Sequence, residues 1–227
     1  MSRPAFYALD SGGWRDYVTL LHPPYTAWHL SYVVIGAALA PELEGRRLLA
    51  ALVAFFLAMG IGAHALDELN GHPLRTTIAD RVLVALAALS IGAAVAIGIA
   101  ASLAWTPWLL PFVAFGGFIV VAYNLELFGG AFHSDLWFGL AWGSFPLLAA
   151  YVVTAERLAL EAVLGAVFAL LTSLAQRTLS TEVRAIRRGG TVDHGAAQQL
   201  VSTPEKALRL LALSMVVLAA ALYSLRF

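Results

Sequence analysis

The sequence predicts an all-α protein, a polytopic transmembrane helical bundle of about seven spans. Three observations carry that class. The 227 residues are 60% hydrophobic and only 12% charged, against about 25% charged in a soluble domain. The mean hydropathy is +0.80. The apolar residues gather in runs near the ~20 residues that a helical span needs, and the runs do not alternate at period two as barrel strands do.

Residues 1–24 read as a cytoplasmic N-terminal segment. They include Arg3, Asp10, Arg15 and Asp16 and no uninterrupted apolar stretch, so they do not have the form of a signal peptide. Residues 25–227 read as one transmembrane domain. The first span is Tyr25–Ala40, opened by His22-Pro23-Pro24 and closed by Pro41. The others are expected near Leu48–Leu66, Val82–Trp105, Pro107–Leu125, Leu136–Thr154, Leu158–Ala175 and Ala207–Leu225. Thr77-Ile78-Ala79-Asp80 has the spacing of an N-terminal cap with an acid three residues on. Ser202-Thr203-Pro204 places a cap residue before a proline at a first helical position. Gly129-Gly130 and Gly189-Gly190 are expected to break helices.

With seven spans, ten of the 14 Lys and Arg fall on the side of the N-terminus. The positive-inside rule makes that side cytoplasmic. The formal net charge of +0 excludes a nucleic-acid binder that works through a strongly basic surface. The absence of cysteine excludes disulfide frameworks, thiolate nucleophiles and cysteine-held metals.

Three polar segments fall on the cytoplasmic face in this topology. The first runs from His64 to His72, the second covers Tyr123, Asn124, Glu126, His133 and Asp135, and the third extends from Gln176 through Glu182 and Arg184 to Arg188. His64, Glu68 and His72 are spaced i, i+4, i+8. On a helix each such step advances about 40°, giving one polar stripe, with Asp67 able to reach it. Imidazole and carboxylate together suit a transition metal better than Mg²⁺ or Ca²⁺. His64, Glu68, His72, Glu126, His133 and Glu182 are therefore the candidate metal ligands, with Fe foremost and Mn or Zn as alternatives, in the manner of helical di-iron sites. Asp67 and Asp135 are candidate catalytic carboxylates that orient a ligating imidazole. Arg75, Tyr123, Asn124 and Arg184 are candidate substrate contacts. Outside this set, His29 is expected to bond across helices, and His22 to sit at the interface. Glu161 is expected to snorkel, His194 to be solvated, and Trp105, Trp108, Trp137 and Trp142 to form an interfacial belt.

The same segments resemble the UbiA superfamily of membrane prenyltransferases over residues 14–190. Leu21-His22-Pro23-Pro24-Tyr25-Thr26 is similar to its opening Arg-Pro-x-x-Thr stretch, and Asn70-Gly71-His72-Pro73-Leu74-Arg75 to the tail of its first Asp-rich motif. Tyr123 through Gly143 resembles its passage from span four to span five, and Gln176 to Arg188 falls where its second Asp-rich motif belongs. The resemblance implies a helical fold around a cavity open to lipid, in which Asp-rich motifs hold Mg²⁺ and a prenyl diphosphate. Here His64, Glu68 and His72 stand where the first motif has Asp and Asn, and Glu126 replaces a lysine. Those replacements imply a retained fold with a changed metal and reaction.

The expected function is thus an integral membrane metalloenzyme, oxidoreductase-like, acting on a lipid, quinone or isoprenoid. A divergent Mg²⁺-dependent prenyltransferase is the alternative, with Glu68, Glu182 and Asp67 holding Mg²⁺ and Arg75, Arg184 and Arg187 gripping phosphate. A metal or proton transporter is a second alternative.

Overall fold

The computed structural model describes residues 3–188 and 194–227, without the side chains of Arg188 and His194. The expected break at Gly189-Gly190 and the surroundings of the His194 side chain lie outside the described residues. Among the described residues all regular elements are helical. They are α1 (Trp14–Leu20), α2 (Pro23–Leu39), α3 (Gly45–Leu69), α4 (Asp80–Ala104), α5 (Pro107–Asn124), α6 (Asp135–Ala155), α7 (Leu160–Arg188) and α8 (His194–Ser224).

Helices α3 to α8 are each long and apolar enough to cross a membrane, which makes six such helices among the described residues. Their outer faces are apolar and open. Only 17% of the most hydrophobic window of α4 is buried, and Leu89, Leu103 and Leu213 stand exposed. A continuous apolar surface of this kind suits a bilayer and not water. The first expected span corresponds to α2, whose 17 residues reach about 25 Å. It is the central helix of the bundle. Trp28, Tyr32 and Ile35 pack with Leu147 of α6, Ala169 of α7 and Ala212, Met215 and Ala219 of α8. Tyr32 ties this core together, because its hydroxyl meets Trp28 Nε1, Thr172 Oγ1 at 2.7 Å and Ser173 Oγ at 3.1 Å.

Three expected boundaries move, each for a local reason. Helix α3 ends at Leu69, before Asn70 and a left-handed Gly71, so His72 leaves the stripe begun by His64 and Glu68. Helix α4 begins at Asp80 with no side-chain cap, because the Thr77 hydroxyl is spent elsewhere. Pro204 lies inside α8 and does not open it, the helix having begun at His194.

Two spans contain wide π-helical turns, at Phe56–Ala63 in α3 and Gly139–Ser144 in α6. Such turns interrupt α-helices mostly at functional sites. Here they lead into His64 and contain Trp142, and both of these residues border the cavity described next.

Candidate functional site

The ends of α2, α3, α5, α6 and α7, with the N-terminal segment, enclose a cavity of about 620 Å³. That is the size of an ordinary small-molecule pocket. The rim between α3 and α4 is built by two buried carboxylates on adjacent threonines. Glu68, 0% exposed, accepts from the Thr76 N–H and hydroxyl through Oε1 and from the Leu74 N–H through Oε2, each at 2.9 Å. Asp16 of α1 accepts from the Thr77 N–H and hydroxyl at 2.8 and 2.6 Å, and from the Gly12 N–H at 2.9 Å. Peptide N–H groups in a loop must find acceptors when water is excluded, and these two acids supply them. The loop then holds His72 and Arg75 at φ 49° and 56°.

The Asp16 hydrogen bonds have a pH consequence. Burial alone would raise the Asp16 pKa, but bonds from the Thr77 hydroxyl, the Gly12 and Thr77 N–H groups and the Ser11 hydroxyl outweigh it and lower the pKa. A carboxyl held lower in the folded state adds stability above its unfolded value, ~4. That stability is lost as the pH falls through the folded value. The melting temperature of the protein in detergent is therefore expected to fall below pH ~4, and Asp16→Asn to be less stable at pH 7 with a flatter acid limb.

The histidines are the most distinctive feature of the cavity wall. His22 and His64 stack with ring centroids 4.0 Å apart and planes 12° from parallel. The His64 Nδ1 lies 3.1 Å from the Gly60 carbonyl, an oxygen that only accepts. Nδ1 therefore carries the proton in the neutral ring, and Nε2 is left as the acceptor. The same logic fixes His133, whose Nδ1 donates to the Tyr123 carbonyl at 3.0 Å and whose ring stacks on Tyr123 at 4.5 Å. His22, which caps α2 outside the spans, is held well below the usual imidazole pKa. Burial does most of this, and the nearby His64, Arg184 and His29 add to it.

Among the described residues, four buried side-chain atoms have no hydrogen-bond partner: His22 Nε2, His29 Nδ1, Tyr123 OH and Gln176 Oε1. All four residues line this cavity. His29, Tyr123 and Gln176 are 3–5% exposed and come from α2, α5 and α7. Buried polar groups are nearly always satisfied, and these four are the exceptions among the described residues.

The wall carries more cationic than anionic side chains. Arg3, Arg75, Arg177, Arg184 and Arg187 line it, as do Asp67 and Glu126. Three of the arginines are also paired from behind: Arg3 with Asp10 at 3.1 Å, Arg177 with Asp135 at 3.0 Å and Arg187 with Glu205 at 2.5 Å.

The expected site residues separate in this arrangement. His64, Asp67, His72, Arg75, Tyr123, Asn124, Glu126, His133 and Arg184 all border the cavity. Glu68 does not, because the loop has used both of its oxygens. Asp135 and Glu182 are exposed and are not part of the lining. His72 pairs with Asp80 at 3.1 Å, and Asn124 bonds back to the Val120 carbonyl of its own helix. His133 Nδ1 lies 3.9 Å from Glu126. Among the described residues, no three His, Asp or Glu side chains come close enough together to hold an ion. The donor set expected for Fe, Mn or Zn does not fit as placed, and neither does the Mg²⁺ set of Asp67, Glu68 and Glu182.

His22, expected at the interface, lines the cavity, and so does His29, which the sequence offered as a pocket residue behind a bond across helices. The signal for His22 was its place in the stretch that resembles the UbiA opening motif. Trp142 is 6% exposed in the cavity wall and not part of an interfacial belt. Glu161 does not snorkel freely, since it accepts from the Tyr151 hydroxyl at 2.6 Å.

A second, wholly apolar groove of about 110 Å³ lies between α3, α4, α5 and α6, lined by residues such as Ala54, Met59, Ile91, Gly98, Gly116 and Phe145. Trp142 borders both spaces. Comparison with protein families, with curated proteins and with solved structures finds no match to this chain.

Proposed function

We propose that this chain is an integral membrane enzyme of UbiA-like organisation that acts on an isoprenoid or comparable lipid. The polar head enters the large cavity and the hydrocarbon chain lies in the apolar groove. The observation that carries this reading is the shared Trp142 wall. A polar chamber and an apolar channel meeting at one indole match the two ends of an amphiphile, and amphipathic Trp suits such a junction. The resemblance of residues 14–190 to the UbiA superfamily supports the same class of substrate. The excess of Lys and Arg on the N-terminal side supports a cytoplasmic opening for the cavity.

In this reading the residues of the chain bind and orient. His64 Nε2 serves as a fixed acceptor toward the head, Tyr123 and Gln176 offer hydrogen bonds, and the π-helical turns present His64 and Trp142 to the chamber. No step is routed through a metal, because no three of the expected ligands converge among the described residues.

Photolabelling tests the proposal. A diazirine-bearing analogue of geranylgeraniol, added to the protein in nanodiscs, should label α5 and α6 at Gly116, Val120 and Trp142. Trp142→Ala should cut that labelling severalfold. Labelling confined to the outward residues Leu89 and Leu103, unaltered in Trp142→Ala, would reject the reading.

A further inference from the structure

We infer that residues 3–7 form a strap that shuts the large cavity off from water and lifts to admit molecules from the aqueous side. The inference concerns access and goes beyond the amphiphile reading, since it holds whatever the cavity receives. Two continuous irregular stretches wall the cavity, residues 70–75 and residues 3–7. They are held in different ways. The first is pinned from inside by the buried Glu68 carboxylate, which takes the Leu74 and Thr76 N–H groups. The second is fastened by side chains of the bundle that reach it from outside its own backbone.

Those fasteners are specific. Phe6 packs on Val183 of α7 and on Val201 and Leu208 of α8, and it meets Tyr25 edge-on at 6.2 Å. The Arg209 guanidinium lies over the Phe6 ring, 4.8 Å from its centroid. The Tyr7 ring lies 5.2 Å from His22 and 5.5 Å from Tyr25. Arg187 Nη1 donates to the Arg3 carbonyl at 3.0 Å, while its Nε holds Glu205 at 2.9 Å. The Arg3–Asp10 ion pair is exposed and adds little. Behind the strap the chain is fixed to α1. Ala8 is buried, the Leu9 N–H donates to Thr19 Oγ1 at 3.0 Å, and the Gly12 N–H is taken by Asp16. The result is a short arm on a fixed root. Residues 3–13 form no helix, so lifting the arm breaks no ladder of backbone hydrogen bonds. Segments held in this way open at low free energy while the core stays folded.

Thiol labelling tests the strap. The chain has no cysteine, so an introduced one is a clean reporter. Ser180 lines the cavity and is buried. Glu42 is exposed between α2 and α3 and serves as the control. Ser180→Cys and Glu42→Cys, each in nanodiscs, are treated with a sulfonate-bearing methanethiosulfonate reagent that does not cross the bilayer. Ser180→Cys should react far more slowly than Glu42→Cys. Reaction behind a rapidly opening strap follows the open population. Adding Phe6→Ser, which removes the ring contacts, should therefore speed Ser180→Cys about tenfold. Adding Arg209→Gln, which touches the strap without lining the cavity, should speed it about threefold, the worth of one exposed cation–π contact. Glu42→Cys should be unmoved by either change. Ser180→Cys reacting as fast as Glu42→Cys in the otherwise unaltered protein would overturn the inference. So would a slow rate that neither Phe6→Ser nor Arg209→Gln raises. The photolabel plays no part here, so a failure of the amphiphile reading leaves this test intact.

Discussion

Replacing Glu68 with alanine is expected to destabilise the protein by roughly 3 kcal/mol or more, since it strands two peptide N–H groups and a hydroxyl that now share one buried carboxylate. Each unsatisfied buried donor costs about 1–3 kcal/mol, partly recovered where the loop reaches water. Glu68→Gln keeps the volume and one oxygen but turns an amide nitrogen toward an N–H, so an intermediate loss is expected. Thermal unfolding in detergent measures both variants. Hydrogen exchange of the amides from residue 70 to 79 should rise sharply in Glu68→Ala while the exchange of α8 is unchanged. A variant that melts like the wild type with unaltered exchange would show that the loop is held by something other than this carboxylate. The result also bears on the site, because His72 and Arg75 reach the cavity from this loop.

An effect of similar size is expected at the centre of the bundle. Gly36 of α2 faces α6 so closely that an added Cβ would overlap the Leu147 carbonyl and lie 3.1 Å from its Cα. The obstructing atoms are backbone, so no rotamer change relieves the contact and the two helices must separate. Gly36→Val is therefore expected at or beyond the upper end of the overpacking range, about 3 kcal/mol. Close approach of backbones through small residues is a main source of helix association in a bilayer. The melting temperature and the yield of folded protein from the membrane check this prediction. Gly92 serves as the control, because an added Cβ there meets nothing within 4 Å and Gly92→Val should be nearly neutral. Equal losses at both positions would refute the packing argument.

Much of the bundle was legible in the sequence because length and apolar content are local properties. The span expected at Val82–Trp105 is the helix Asp80–Ala104, and that expected at Leu136–Thr154 is Asp135–Ala155. What was illegible depended on partners distant in sequence. Thr77 has the spacing of a cap, yet its hydroxyl goes to Asp16, 61 residues earlier. Glu68 has the spacing of a ligand, yet it serves the backbone of its own loop. His22 looked interfacial because it precedes the first span, and only the fold brings it against His64. Pro204 signals a helix start, but the helix continues through it as proline sometimes allows when neighbouring groups take up the freed carbonyl. The clustering of His64, Asp67, Tyr123, Asn124, Glu126 and His133 around one chamber was readable from topology. The way each is tied down was not.

The wide turns in α3 and α6 carry an evolutionary corollary. A helix closed by i→i+5 bonds accommodates more residues per turn than an α-helix, so each of these stretches behaves like a tolerated insertion. Excising one residue from 56–63 or 139–144 would restore ordinary winding and swing one flank of the span by about 100° relative to the other. His64 or Trp142 would then point toward lipid with its identity unchanged. Lineages descended from a common ancestor of this chain could thus gain or lose the chamber through single-codon length changes, a route that comparisons confined to amino-acid substitutions would overlook.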